Sequence, residues 1–257
     1  MPMAGSIEDL IVSEVATTAY HPRTSKHSDA QSLVIIRDLL AACPILAARA
    51  STGELVGRLR HHQQIGHSDW VIDVALGTAP GVPEPPKAGD LIRITEPTLI
   101  QIAIELKSIW TEHGKARKNR LRDFEAFHGH AHEYSKKTVA AAFLVVNAAE
   151  VFLSPLNLDA RSREPITQHG RKAKSTGQLV KETIDMFRSI HLRNHETDVP
   201  GLEALGVVVI EHDNLNYLDA RPQYGRSPRG IGSCANQAKL LRRPQRLRWA
   251  IRYIIAR

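Results

Sequence analysis

Two cysteines, Cys43 and Cys234, are all that the 257 residues hold. That excludes a disulfide framework and fits a reducing, cytoplasmic setting. Cys43 follows an apolar helical run and reads as a small buried hydrophobe. No apolar run approaches the roughly 20 residues that span a bilayer, so no membrane partner is expected. The N-terminal MPMAGSIEDL carries acids and lacks an apolar core, so it does not read as a secretory signal. No predicted strand is followed by a glycine-rich phosphate loop of the G-x-G-x-x-G or Walker type. No Ser/His/Asp set is identifiable. His128, His130 and His132 alternate, which on a helix gives them no common face and argues against a metal site there.

One absence is regional. Residues 221–257 contain ten Lys and Arg and no Asp or Glu. Of the chain's 34 bases, 24 then stand against all 27 acids in the first 220 residues. The formal charge of +7 is therefore a property of the tail. It says nothing of what the rest of the chain binds.

What is present describes a globular chain: 42% hydrophobic and 24% charged residues are enough for a sizeable core. The pattern divides into a polar, loosely attached leader (1–27), a single α/β domain (28–220) and the basic tail (221–257). Leu33, Ile36, Leu40 and Cys43 recur at helical spacing, with Ser28 or Asp29 as cap and Pro44 as an interruption. Ser51-Thr52-Gly53-Glu54 opens a second helical stretch from Glu54 to about Gln64. Trp70 to Leu76 reads as a strand and Leu91 to Thr95 as a short strand or edge. Leu99 to Ile109 is the clearest strand. Ile100, Ile102, Ile104 and Leu106 fall on one of its faces, and Gln101, Ala103, Glu105 and Lys107 on the other. A helix follows from Thr111 or Gly114 to Tyr134. Val139 to Val146 is a continuous apolar run, as for a central strand covered on both faces. Residues 154–175 read as a basic loop. Ser175 caps an amphipathic helix, and Leu205 to Ile210 is a last strand. The segment Lys239 to Arg257 reads as a basic amphipathic helix or a poorly ordered tail. Strands alternating with helices indicate an α/β layer fold.

The chemistry-bearing residues lie around the clearest strand. Glu105 and Lys107 share one strand face, so their charged ends converge. An acid from the neighbouring strand, Asp73 or Asp69, joins them in this reading. Two carboxylates are the hard oxygen donors that Mg2+ takes, and a lysine beside them orients water or offsets charge at phosphorus. On the helix that follows, Lys115, Lys118 and Arg122 form a solvated or DNA-facing stripe opposite Leu121, Phe124, Phe127 and Ala131. Arg117 and Arg120 fall on the apolar side. An arginine there needs a partner, either an acid such as Asp123 or Glu125 or a phosphate.

An acid within a hydrophobic strand, then about 30 residues, then IAIELK (103–107 with Ile102 before it) resembles the PD-(D/E)XK nuclease superfamily. Ser68-Asp69-Trp70 and Ile72-Asp73-Val74 both match the first half of that motif, and Asp73 is favoured. The resemblance covers about residues 51–147. It implies a restriction-endonuclease-like fold, a central mixed sheet flanked by helices. It implies Asp73 and Glu105 as ligands of Mg2+, Lys107 as the residue beside the water, and Glu54 as a further acid. It implies a DNA endonuclease of type II restriction character, acting as a homodimer. Lys115, Arg117, Lys118 and Arg120 are then the phosphate contacts. A repair, recombination or mobile-element nuclease of the same fold, or a non-catalytic nucleic-acid-binding protein, is the alternative.

Overall fold

A computed structural model of the chain describes Ile11, Ser13, Tyr20 and His21, together with residues 26–111, 113–158, 165–169, 175–217 and 251–255. Two helices come first, α1 (Lys26–Ala42) and α2 (Pro44–Thr52). Pro44 separates them. It suits the first turn of a helix, where a missing N–H costs nothing. Gly53 closes α2 with a left-handed backbone, φ 79°. The strands β1 (Leu55–Ile65), β2 (Ser68–Thr78), β3 (Arg93–Ile94) and β4 (Leu99–Ile109) follow. Helix α3 (His113–Tyr134) then leads to β5 (Val139–Asn147). The chain continues through β6 (Val151–Leu158), β7 (Pro165–His169), α4 (Thr176–Phe187), β8 (Ala204–Ile210) and β9 (Ile251–Ile255).

The fold is α/β, as the sequence pattern predicts. A mixed, curled sheet of six strands runs β3-β1-β2-β4-β5-β8, and β9 adds a seventh at its edge. β2 lies antiparallel between β1 and β4, while β4, β5 and β8 are parallel. β6 and β7 form a separate antiparallel pair. One face of the sheet packs against α3 and α4 through Phe124, Phe127, Ala131, Ile184 and Phe187. The other packs against α1 and α2 through Ile36, Leu40 and Ala50. A third apolar cluster gathers Trp110, Phe152, Val208 and Ile210 beyond the carboxyl ends of the parallel strands.

The structure corrects several expectations. Residues 55–65 form β1 rather than a helix, hairpinned to β2 over the full length of both strands. Gly66, with φ 55°, supplies the left-handed backbone of the two-residue turn. Within residues 154–175, two strands stand where a loop is predicted. Cys43 is only half-buried. Helix α1 starts at Lys26, so Ser28 and Asp29 lie inside it rather than at its cap. Ile100 does not share a face with Ile102. The β2–β4 register slips between Leu76 and Gly77, opposite Gln101, and puts Ile100 with Ala103 against the α3 side. Gly77 is needed at that slip, because a Cβ there would sit 1.9 Å from the Leu99 carbonyl oxygen.

Two leader residues belong to the core: Ile11 is buried, and Tyr20 packs on Trp110 with ring centroids 4.3 Å apart. At the other terminus, residues 251–255 form strand β9 rather than a helix. Lys239–Ala250, like the basic residues Arg171, Lys172 and Lys174, lies outside the described residues.

Phe124 carries the α3 contact. It is fully buried and meets Phe187 of α4 edge-on, with ring centroids 5.6 Å apart. Phe124→Ala is expected to cost about 3–5 kcal/mol of unfolding free energy, read as a lower urea midpoint. A loss below about 1 kcal/mol would mean that α3 does not depend on this contact.

Candidate functional site

Asp73 lies where the sheet is locally irregular on both sides. Across β1, Leu59 faces Val74 and His61 faces Ile72, which leaves Arg60 opposite Asp73. Arg60 has a left-handed backbone, φ 50°. For a residue with a Cβ this costs on the order of 1–2 kcal/mol. Towards β4, the regular ladder ends at the Val74–Ile104 pair. One residue further, the Asp73 carboxylate accepts the Leu106 backbone N–H at 2.8 Å through Oδ2. A side chain thus takes over where main-chain pairing stops.

The irregularity changes which way β2 faces. Trp70 and Ile72 lie in the core beside α3, and so does Ala75, whereas Val74 and Leu76 lie in the core beside α1. Strict alternation would put Ile72 and Val74 together. It breaks around Asp73, and the far half of the β1–β2 hairpin curls over α3. Trp70 there meets Phe127 and Tyr134, with ring centroids 5.7 and 6.2 Å away.

Glu105 stands next to the Leu106 amide that Asp73 binds. It is only 8% exposed, and the Lys107 ammonium donates a hydrogen bond to its Oε1. Burial first, then the charge of Asp73, and with them Asp123 on α3, push the Glu105 carboxyl up to about 7 against the opposing Lys107 ammonium. Asp123 in turn holds Arg120 at 2.8 Å, and the Arg120 Nε–H reaches the Ser108 carbonyl oxygen at 3.4 Å.

The predicted residues thus separate into those brought together and those set apart. Asp73, Glu105 and Lys107 converge. Asp69 is four residues away along β2 and more than half exposed, with its carboxylate bound to His62 at 3.0 Å. Glu54 follows α2 rather than lying on it. It is exposed, and its carbonyl accepts the Ala79 amide at the far end of β2 from Asp73. Arg117 pairs with Glu182 of α4 at 2.9 Å, a contact between helices. Lys115 and Lys118 are exposed on α3. The sequence pattern offers Asp123 as a partner for an arginine, and the structure adds its charge acting on Glu105. The place of Asp123 beside Phe124, at the border of the apolar face of α3, is the signal that points inward.

The donors fit a divalent cation. Asp73 and Glu105 are two carboxylates whose mutual repulsion is one reason that Glu105 holds its proton, and a cation between them would relieve it. Among the described residues, no group of three or more His, Cys, Asp or Glu side chains is arranged to hold a metal ion. A metal here would need water or backbone oxygen to complete its shell. No helix among the described residues is long and apolar enough to cross a membrane. Neither a family model, nor a curated protein, nor a solved structure matches this chain.

The raised Glu105 pKa sets a sign for stability. Its value near 7 in the fold lies above the ordinary 4.5, so the folded chain keeps a proton that the unfolded chain has lost between those pH values. Stability from this group is full below the lower value and declines as pH rises to the upper one. Glu105→Gln removes the ionisation. Its stability relative to the parent is expected to rise between about pH 5 and about pH 8, read from urea midpoints. An offset independent of pH would show that Glu105 ionises without cost.

Proposed function

We propose that this chain is a Mg2+-dependent nuclease that hydrolyses phosphodiester bonds in DNA. The observation that carries the reading is the convergence of Asp73, Glu105 and Lys107 at the point where β2 parts from β4. An acid on one strand and Glu-x-Lys on its antiparallel neighbour, in a mixed sheet flanked by helices, is the arrangement that the PD-(D/E)XK resemblance implies. A bound Mg2+ would supply Lewis acidity at the scissile phosphate and lower the pKa of water. The Asp73 and Glu105 carboxylates would hold it. Lys107, released from Glu105 when that carboxylate takes the metal, would orient the attacking water and offset negative charge at phosphorus. Arg120, held by Asp123, would receive a neighbouring phosphate. Cutting both strands of a duplex takes two such sites, which supports a homodimer of type II restriction character.

Supercoiled plasmid incubated with Mg2+ is expected to be nicked and linearised, and EDTA to stop it. Glu105→Ala, Lys107→Ala and Asp73→Ala are each expected to lower the rate by about 100-fold or more. Cleavage that survives EDTA, or that none of the three variants alters, would overturn the proposal. Cut ends that map to one recurrent sequence support the restriction role, and ends that follow DNA structure oppose it. Because Glu105 must lose its proton to act as a ligand, the Mg2+ concentration for half-maximal cleavage is expected to fall as pH rises from about 6 to about 8.

A further inference from the structure

Beside this site, at the carboxyl end of β4, lies a cavity of about 310 Å3. That places it at the small end of the range in which proteins hold organic ligands. One wall is aromatic: Tyr20, Trp110 and Phe152 pack together, with Trp110 and Phe152 ring centroids 5.9 Å apart. The facing wall is the first part of α3, which contributes Lys115 and Arg120. Among the described residues, no acidic side chain lines it. The Ser108 hydroxyl, which accepts the Trp110 indole N–H at 2.9 Å, joins the two walls.

The lining has the chemistry of an amphipathic anion. An aromatic wall suits a planar ring, and a lysine and an arginine on the lining suit a phosphate. Arg120 links the cavity to the carboxylates. It lines the cavity, its Nη1–H donates to Asp123 at 2.8 Å, and Asp123 acts on Glu105.

We propose that the cavity between α3 and the Tyr20–Trp110–Phe152 wall is a nucleotide subsite. It would take one base, with its phosphate on Lys115 and Arg120, from the strand whose phosphodiester lies at Glu105 and Lys107. The assignment to a substrate strand rests on the nuclease reading, whereas nucleotide binding itself does not. The subsite fixes where the strand runs: from the carboxylates, past Arg120, along the first turns of α3.

The test uses the full chain in EDTA, so that no metal chemistry enters. Adenosine 5′-monophosphate, adenosine, inorganic phosphate and a short single-stranded oligonucleotide are titrated by calorimetry. The monophosphate is expected to bind about tenfold tighter than either of its parts, and the oligonucleotide to displace it. Lys115→Glu and Leu156→Trp, both at exposed lining positions, are expected to weaken it by about tenfold. Lys118→Glu, exposed on the same helix but not a lining residue, is expected to change it less than about twofold. Glu105→Gln should leave nucleotide binding intact while abolishing cleavage. No saturable binding of the monophosphate, or equal loss in Lys115→Glu and Lys118→Glu, overturns the subsite. A monophosphate that the oligonucleotide does not displace overturns the substrate-strand assignment. Intact nucleotide binding in a chain that never cleaves DNA would instead count against the nuclease reading.

Discussion

The hydrogen bond from the Leu106 amide to the Asp73 carboxylate governs the middle of this fold. Main-chain pairing between β2 and β4 ends one residue earlier, so this contact ties the two strands where they part. An amide left unpaired at a half-buried strand would cost about as much as a lost hydrogen bond. An apolar residue at position 73 could not satisfy it. The same contact fixes the Asp73 charge beside Glu105. A single carboxylate therefore satisfies a backbone donor and builds an electrostatic site, and the left-handed Arg60 opposite marks the distortion that this requires.

Glu105 shows how the site is poised. Its burial and the Asp73 charge favour the protonated form, while the Lys107 ammonium favours the ionised one. Burial and Asp73 outweigh Lys107, and with the carboxyl pushed up to about 7 both the protonated and the ionised form are present near neutral pH. Such a group responds to any cation that enters, because an added positive charge adds to Lys107 and tips the balance. The Asp123–Arg120 pair extends this row of charges outward to Ser108 and the aromatic cavity.

Much of this was legible in residue order, and the limits have physical causes. The apolar runs of β4, β5 and β8 and the period of α3 are local signals, and they appear where expected. Glu105 and Lys107 on a common face follow from strand geometry alone. Asp69 and Asp73 share a strand parity, so periodicity could not choose between them. The choice comes from where β2 leaves β4, a tertiary event. β1 misled because Ser-Thr-Gly-Glu resembles a helix start and Leu55 and Leu59 have helical spacing. The hairpin turn at Gly66-His67 is the competing signal, and its pairing with β2 outweighs the local propensity. Arg117 finds Glu182 across 65 residues, a separation that no local pattern encodes.

Charge placement settles which basic residues can act on an anion at this site. In the sheet order, β9 stands three strands from β4, about 14 Å at the usual spacing. Coulomb attraction falls with distance, so charge carried at β9 acts on Glu105 more weakly than a cation in direct contact, whatever the tail contributes to the total of +7. Among the described residues, Lys107 is bonded to Glu105, Arg120 is paired with Asp123, and Lys115 lies beside Arg120 in the cavity lining. They sit among acids in a part of the chain with no net basic excess, so their effect is short-ranged and directional. An anionic chain drawn to the protein by its overall charge would still be positioned by this local row.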